Sequence, residues 1–178
     1  MVGTSPTMTV EPPVLPDILV PGLRVVFCGA QAGAASARRG AYYAGPGNRF
    51  WATLHEIGLT PRRLAPEEFP ALSDFGIGLT DVAKATSGPD SALRRTHFDI
   101  EAFMQKMTAH APATVAFNGK RAAQAVLGPA LGYGLQVQRL AGASVHVLPS
   151  TSGAASGFWS LEPWRQLAAS LNPTVSRA

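Results

Sequence analysis

Apolar positions along this chain fall into short unbroken runs, separated by longer stretches in which they recur at helical spacing. Leu23 to Cys28 is one such run: Val25, Val26 and Phe27 all favour extended backbone, and Gly29 ends it. Ala113 to Phe117 and Ser144 to Leu148 are two more, and a smaller one covers Ile77 to Thr80 with Asp81 directly at its end. Runs of this length without polar alternation predict strands buried on both faces. Between them, Phe50, Trp51, Leu54 and Ile57 share one helical face behind Asn48, a residue type that caps helices, and Gly58 supplies a stop. Asp99 likewise caps a helix ending near His110, with Ile100, Phe103 and Met107 on its apolar face. Gly119 to Leu127 and Leu161 to Leu171 read as further helices, 61–75 as a short helix with a connection, and Gly29 to Gly47 as one long loop.

Short buried strands alternating with helices predict a three-layer α/β/α sandwich around a short, mostly parallel central sheet. Residues 1–17, rich in Thr, Pro, Gly and Ser without periodicity, read as a mobile leader, followed by one domain over 18–172 and a tail over 173–178. In such a sheet, chemistry gathers beyond the carboxyl ends of the strands. Four loops have that address: Gly29–Gly47, Asp81–Ala85, Asn118–Lys120 and Ser150–Phe158.

Composition narrows the picture. A chain of 178 residues suits one domain of about 100–200 residues. A 46% hydrophobic and 15% charged make-up excludes bulk disorder, while Gly 18 and Pro 15 predict many sharp loops. The net charge is only +4, but its distribution is uneven. Between Asp17 and Glu56 the charges are Arg24, Arg38, Arg39 and Arg49, and between Glu101 and Glu162 they are Lys106, Lys120, Arg121 and Arg139. Two acid-free stretches fit a basic face for a polyanion such as nucleic acid; scattered, solvated side chains give the same count. The single Cys28 excludes a disulfide framework or a Cys-based zinc site within one chain and fits a reducing cytoplasm. No apolar stretch approaches the roughly 18–20 residues that span a bilayer, so no membrane association is expected.

The candidate chemistry starts in the first loop. Gly29-Ala30-Gln31-Ala32-Gly33 follows a strand with side chains small enough for backbone N–H groups to meet a ligand, but it has neither a P-loop ending nor dinucleotide spacing. Tyr42 and Tyr43 are placed to stack on a base or to pack inside the domain. His55, His97, His110 and His146 have no metal-ligand spacing, so metal catalysis is not expected. Ser150 lies four positions after His146, yet lacks the Gly-x-Ser-x-Gly elbow of a serine hydrolase. Asp81 stands at the sheet's functional edge, where a carboxylate can position or deprotonate water or stabilise a cationic transition state; a helix cap or turn is the plainer alternative.

Together, five ordered segments resemble the mismatch-specific uracil-DNA glycosylase and thymine-DNA glycosylase family of the uracil-DNA glycosylase superfamily. They are Arg24-Val25-Val26-Phe27-Cys28-Gly29, Tyr43-Ala44-Gly45-Pro46-Gly47-Asn48-Arg49-Phe50-Trp51, Gly76-Ile77-Gly78-Leu79-Thr80-Asp81, Ala116-Phe117-Asn118-Gly119-Lys120 and Leu148-Pro149-Ser150-Thr151-Ser152. The resemblance spans Pro21 to Leu171. It implies a monofunctional DNA glycosylase of base excision repair that flips uracil out of DNA and hydrolyses its N-glycosidic bond without cofactor, leaving an abasic site. G·U mismatches are the implied preference, because a mispaired base costs least to extrude; a single compact basic domain makes a monomer on DNA the default assembly.

Position by position, the resemblance places Gly29, Ala30 and Gly33 against the flipped base and Tyr43 stacked on it, with Asn48 shaping the pocket. Lys120 falls where a phosphate is met, and Ser150, Thr151, Ser152, Gly153, Ala154 and Phe158 fall in the loop that enters the minor groove. Four positions depart from the family. Gln31 and Ala32 stand where relatives read Asn-Pro in Gly-Ile-Asn-Pro-Gly, Asp81 stands where thymine-DNA glycosylases carry an amide, and Ala154 stands where those enzymes carry an arginine wedge. An amide is no strong base, so the departures move catalytic duty to Asp81, with Gln31 secondary. Ala154 cannot fill an abasic gap, so Phe158 or a neighbour takes that place, or single-stranded DNA is accepted. A catalytically inactive DNA-lesion binder on the same fold is the alternative, and a hydrolase of free nucleosides a third.

Overall fold

Five strands, β1 (Val25–Gly29), β2 (Ile77–Asp81), β3 (Thr114–Asn118), β4 (Gly134–Leu135) and β5 (Ser144–Leu148), form one sheet in a computed structural model that describes residues 11–172. The order is β2-β1-β3-β5-β4, with every pair parallel except β4 against β5. All residues of β1, β2 and β3 are buried, as expected where helices cover both faces.

Alternation along β1 divides the core. Val25 and Phe27 face one layer, where they join Phe50, Trp51 and Leu54 of α2 (Phe50–Glu56) and Trp164 and Leu167 of α5 (Glu162–Leu171). Val26 and Cys28 face the other, with Phe103 and Met107 of α3 (Ile100–His110) and Ala122 and Ala123 of α4 (Lys120–Leu127). The predicted α/β/α sandwich is therefore the observed one. Phe27 packs edge-on to Phe50 at 5.4 Å and stacks on Trp164 at 5.5 Å. Both buried indoles find acceptors: Trp51 donates to the Tyr42 carbonyl at 3.0 Å and Trp164 to that of Pro149 at 3.1 Å.

Three expectations are corrected. The span read as one loop, Gly29–Gly47, contains a helix, α1 (Ala34–Arg39), closed by Gly40 at φ 64°. Ala34-Ala35-Ser36-Ala37 has high helix propensity but no large apolar residue to mark a face. Second, the expected leader is docked over its last residues: Leu15 is buried, the Val14 N–H donates to the Lys84 carbonyl at 2.8 Å, and Ile18 exchanges two backbone bonds with Leu79 on the outer edge of β2. The rest of the leader, over 1–10, and the tail over 173–178 lie outside the described residues. Third, Asn48 precedes rather than caps α2, its side-chain oxygen accepting from the Phe50 N–H at 3.0 Å while Arg49 holds the cap position. Among the described residues no helix is long and apolar enough to cross a membrane.

Candidate active site

Parallel register brings Gly29, Asp81, Asn118 and Leu148 into a row at the carboxyl ends of β1, β2, β3 and β5. From β1 the chain leaves toward β2 on one side, then returns to β3 on the other, so a crevice opens at the switch point beside β1. A cleft of about 640 Å³ occupies it.

Its floor is Gly29. A Cβ there would lie 2.5 Å from Asp81 Oδ1 and 3.2 Å from the Tyr43 hydroxyl, so only glycine lets the carboxylate and the phenol converge over the strand end. Asp81 ends a strand and caps no helix. Its carboxyl is buried and receives no hydrogen bond among the described residues; Lys84 Nζ stands 4.0 Å from Oδ2. Burial pushes it up from the ordinary 3.8 to about 6, against the pull of Lys84 and with help from Asp17 and Asp90. Asp81 is thus largely ionised at neutral pH yet basic for a carboxylate, the condition suited to accepting a proton.

Tyr43 adopts a left-handed backbone, φ 52°, which turns its ring onto Phe50 at 4.1 Å and aims its hydroxyl at the floor. That hydroxyl is buried and without a partner among the described residues, and burial first, then Asp81, holds the phenol in its protonated form. A non-glycine residue held at positive φ beside an unpaired donor is the kind of strain that collects at functional sites. Tyr42 does not share the role: it is buried, with its hydroxyl 3.0 Å from Lys84 Nζ.

The first-motif residues Ala30, Gln31 and Gly33 line the cleft. Gln31 is already committed on its donor side, giving both Nε2 hydrogens to the carbonyls of Gly88 and Pro89 at 3.0 Å. Its amide fastens the 88–91 segment, which brings Asp90 to the cleft, and only its carbonyl oxygen is left to meet a ligand. Asn48 and Lys120 also line the cleft, the latter as first residue of α4 with its ammonium over the Tyr133 ring at 4.5 Å.

On the far rim, Ser150 to Ala154 complete the lining. Asn118 clamps this loop: its Oδ1 accepts from the Thr151 N–H at 3.0 Å and its Nδ2 donates to Thr151 Oγ1 at 2.9 Å. The Ser150 and Ser152 hydroxyls accept from backbone N–H groups two residues on, so neither is poised as a nucleophile. Phe158 is not in the cleft wall; it is 75% exposed at the end of a short 3-10 segment, Gly153–Phe158.

Sequence reasoning put Asn118 in a functional loop and Lys84 just downstream of Asp81 without giving either a role, and it missed Asp17 and Leu15. Asn118 was detectable as the polar residue ending a buried strand, and Lys84 as the cation one turn beyond Asp81. Nothing local marks Asp17 or Leu15, which reach the site only by tertiary docking.

Comparison with known proteins bears on the family and the fold. The sequence model of the uracil DNA glycosylase superfamily matches residues 16–168. The chain belongs to the uracil DNA glycosylase superfamily. Among solved structures it is similar to a Methanosarcina acetivorans protein, described as a candidate uracil DNA glycosylase and determined by solution NMR. The two share 26% identity with a TM-score of 0.65, over 89% of this chain and 96% of that one.

Proposed function

We propose that the protein is a DNA glycosylase that excises uracil, with Asp81 as the catalytic base and Tyr43 as the ring on which the flipped base stacks. The observation that carries the reading is the convergence of Asp81 and the Tyr43 hydroxyl over Gly29 at the sheet's functional edge. In the proposed reaction the bond between deoxyribose C1′ and uracil N1 breaks, and its electron pair leaves with the base. Water adds to C1′, and Asp81 takes the proton that water loses. Before the attack, the same carboxylate faces the positive charge that builds on the sugar, an electrostatic role a buried anion performs well.

Gln31 is the lesser candidate for holding water, because its donors are spent on Gly88 and Pro89. Lys120 at the head of α4 is placed to meet a backbone phosphate. With Ala154 in the rim, the exposed Phe158 ring is the side chain available to enter a duplex gap. A base that is mispaired or single-stranded costs least to bring into the cleft, which favours G·U pairs and single strands as substrates.

Alkali-revealed strand cleavage of labelled uracil DNA, as G·U duplex and as single strand, tests the reading. Asp81→Asn is expected to lose about 10²- to 10⁴-fold in single-turnover rate with DNA binding retained. Gln31→Ala is expected to raise KM more than it lowers kcat. If Gln31→Ala is the inactive variant, the base is misassigned; if wild type yields no abasic sites, the protein is a lesion binder.

A further inference from the structure

The segment ahead of β1 is built into the back of the site. Asp17 Oδ1 lies 2.9 Å from Lys84 Nζ and accepts from the Thr80 hydroxyl at 2.8 Å, while Oδ2 lies 2.6 Å from Lys106 Nζ on α3. Lys84 reaches Asp81 in turn, which makes a chain of alternating charge, Lys106–Asp17–Lys84–Asp81, running from the outer layer to the cleft. Backbone bonds at Val14 and Ile18 fix the strap on either side of Asp17. Gly78 admits it: a Cβ there would lie 2.6 Å from the Ile18 carbonyl oxygen. Leu15 from the same strap lines the cleft.

Resting on the reading of Asp81 as the base, we propose that Lys84 and Asp17 are positioning residues: Lys84 holds the Asp81 carboxylate in place and in its anionic form, and Asp17 limits how much of the lysine's charge Asp81 receives. Asp17 is suited to this, since Lys84, Lys106 and Thr80 hold its carboxyl below the ordinary range even though burial acts the other way. Lys84 divides its charge between two carboxylates and spends a further bond on the Tyr42 hydroxyl. The other groups facing Asp81 are Asp90 from the 88–91 segment, Cys28 on the neighbouring strand, and Tyr43 across Gly29. Cys28 and the two tyrosines are raised by burial and stay neutral through the range in which Asp81 titrates. Asp90 is held back from ionising by burial and drawn toward it by Arg121, and it stays the same in all variants below.

The two positioning residues therefore have opposite signs. Removing the cation makes Asp81 harder to ionise, and removing Asp17 makes it easier, because Lys84 then has a single carboxylate to serve. A purely structural role moves both in the same direction or leaves the titration unchanged.

The test is the pH profile of single-turnover uracil excision by the full chain, from about pH 4.5 to 9. Lys84→Met is expected to shift the acid limb up by about one pH unit and Asp17→Asn to shift it down, with Lys84→Arg restoring the wild-type position. Lys106→Met, at the outer end of the chain, gives a smaller upward shift, and Asp17→Ser supplies the downward shift if Asp17→Asn does not fold. Acid limbs that coincide with wild type in the folded variants, or that move in the same direction for Lys84→Met and Asp17→Asn, overturn the proposal. Asp81→Asn is run alongside: if it keeps full activity, the catalytic reading itself has failed, whereas an inactive Asp81→Asn with unmoved limbs in the other variants rejects the strap alone.

Discussion

Asp81 is ionised at neutral pH at the expense of folding. Its carboxyl sits near 6 in the folded protein against an ordinary 3.8, so the folded chain binds the proton more tightly than the unfolded one. The cost is absent below about pH 4, grows as pH rises through 6, and is complete above that, at up to about 3 kcal/mol. Asp81→Asn is therefore expected to raise Tm at pH 7.5 and to lose that advantage toward pH 4, as calorimetry at the two pH values would show. Gly29 sits on the other side of the same contact: Gly29→Ala puts a methyl 2.5 Å from Asp81 Oδ1 and is expected to reduce activity at least as severely as loss of the carboxylate, with a lowered Tm as well. At this scale the sequence pointed to the acid but not to its surroundings. A carboxylate ending an apolar run is visible in the order of residues, whereas Asp17, which pairs with Lys84 behind it, lies far along the chain in what reads as a leader.

Elements differ in how openly the sequence declares them. Strands β1, β2, β3 and β5 are contiguous β-preferring runs, legible because burial on both faces demands it. The helix α1 and the pair Gly134–Leu135 that forms β4 are not, because six small or basic residues carry no apolar stripe and two residues carry no period at all. The rim loop after β5 shows how a loop can be rigid without regular structure: Asn118 holds Thr151 twice, and the Arg49 N–H donates to the Thr151 carbonyl at 2.9 Å. Asn118→Ala leaves a buried N–H and a hydroxyl without partners, which costs about 1–3 kcal/mol in urea unfolding. The freed loop should also raise KM for DNA more than it changes the rate of excision from bound substrate.

Over the whole molecule, part of the basic excess foreseen as a polyanion surface is tied down, by carboxylates at Arg39 and Lys106 and by backbone carbonyls at Arg24 and Arg139. Arg24 donates to the Phe75 carbonyl, Arg39 pairs with Glu67, Lys106 with Asp17, and Arg139 bonds the Gly142 carbonyl. Counting charges along a sequence cannot separate these from the ones left over, because pairing is decided by tertiary contacts. At the cleft, Lys120 and Arg121 remain, with Arg121 also donating to the Leu93 carbonyl at 3.2 Å. Lys120→Ala is expected to reduce the slope of log affinity against log salt by about 1, as measured by fluorescence anisotropy across a salt series.

Cys28 lies fully buried in β1 between Thr80 and Phe117, beside the strand that carries Asp81, and is the chain's sole cysteine. Burial, followed by the neighbouring carboxylate, keeps its sulfur in the unreactive thiol form. That gives the protein a built-in clock. A thiol reagent can reach this sulfur only when the central sheet opens, so the labelling rate under native conditions counts the molecules that have come apart at the core, and any DNA that binds the closed form alone must slow the clock by the same factor by which it stabilises the fold.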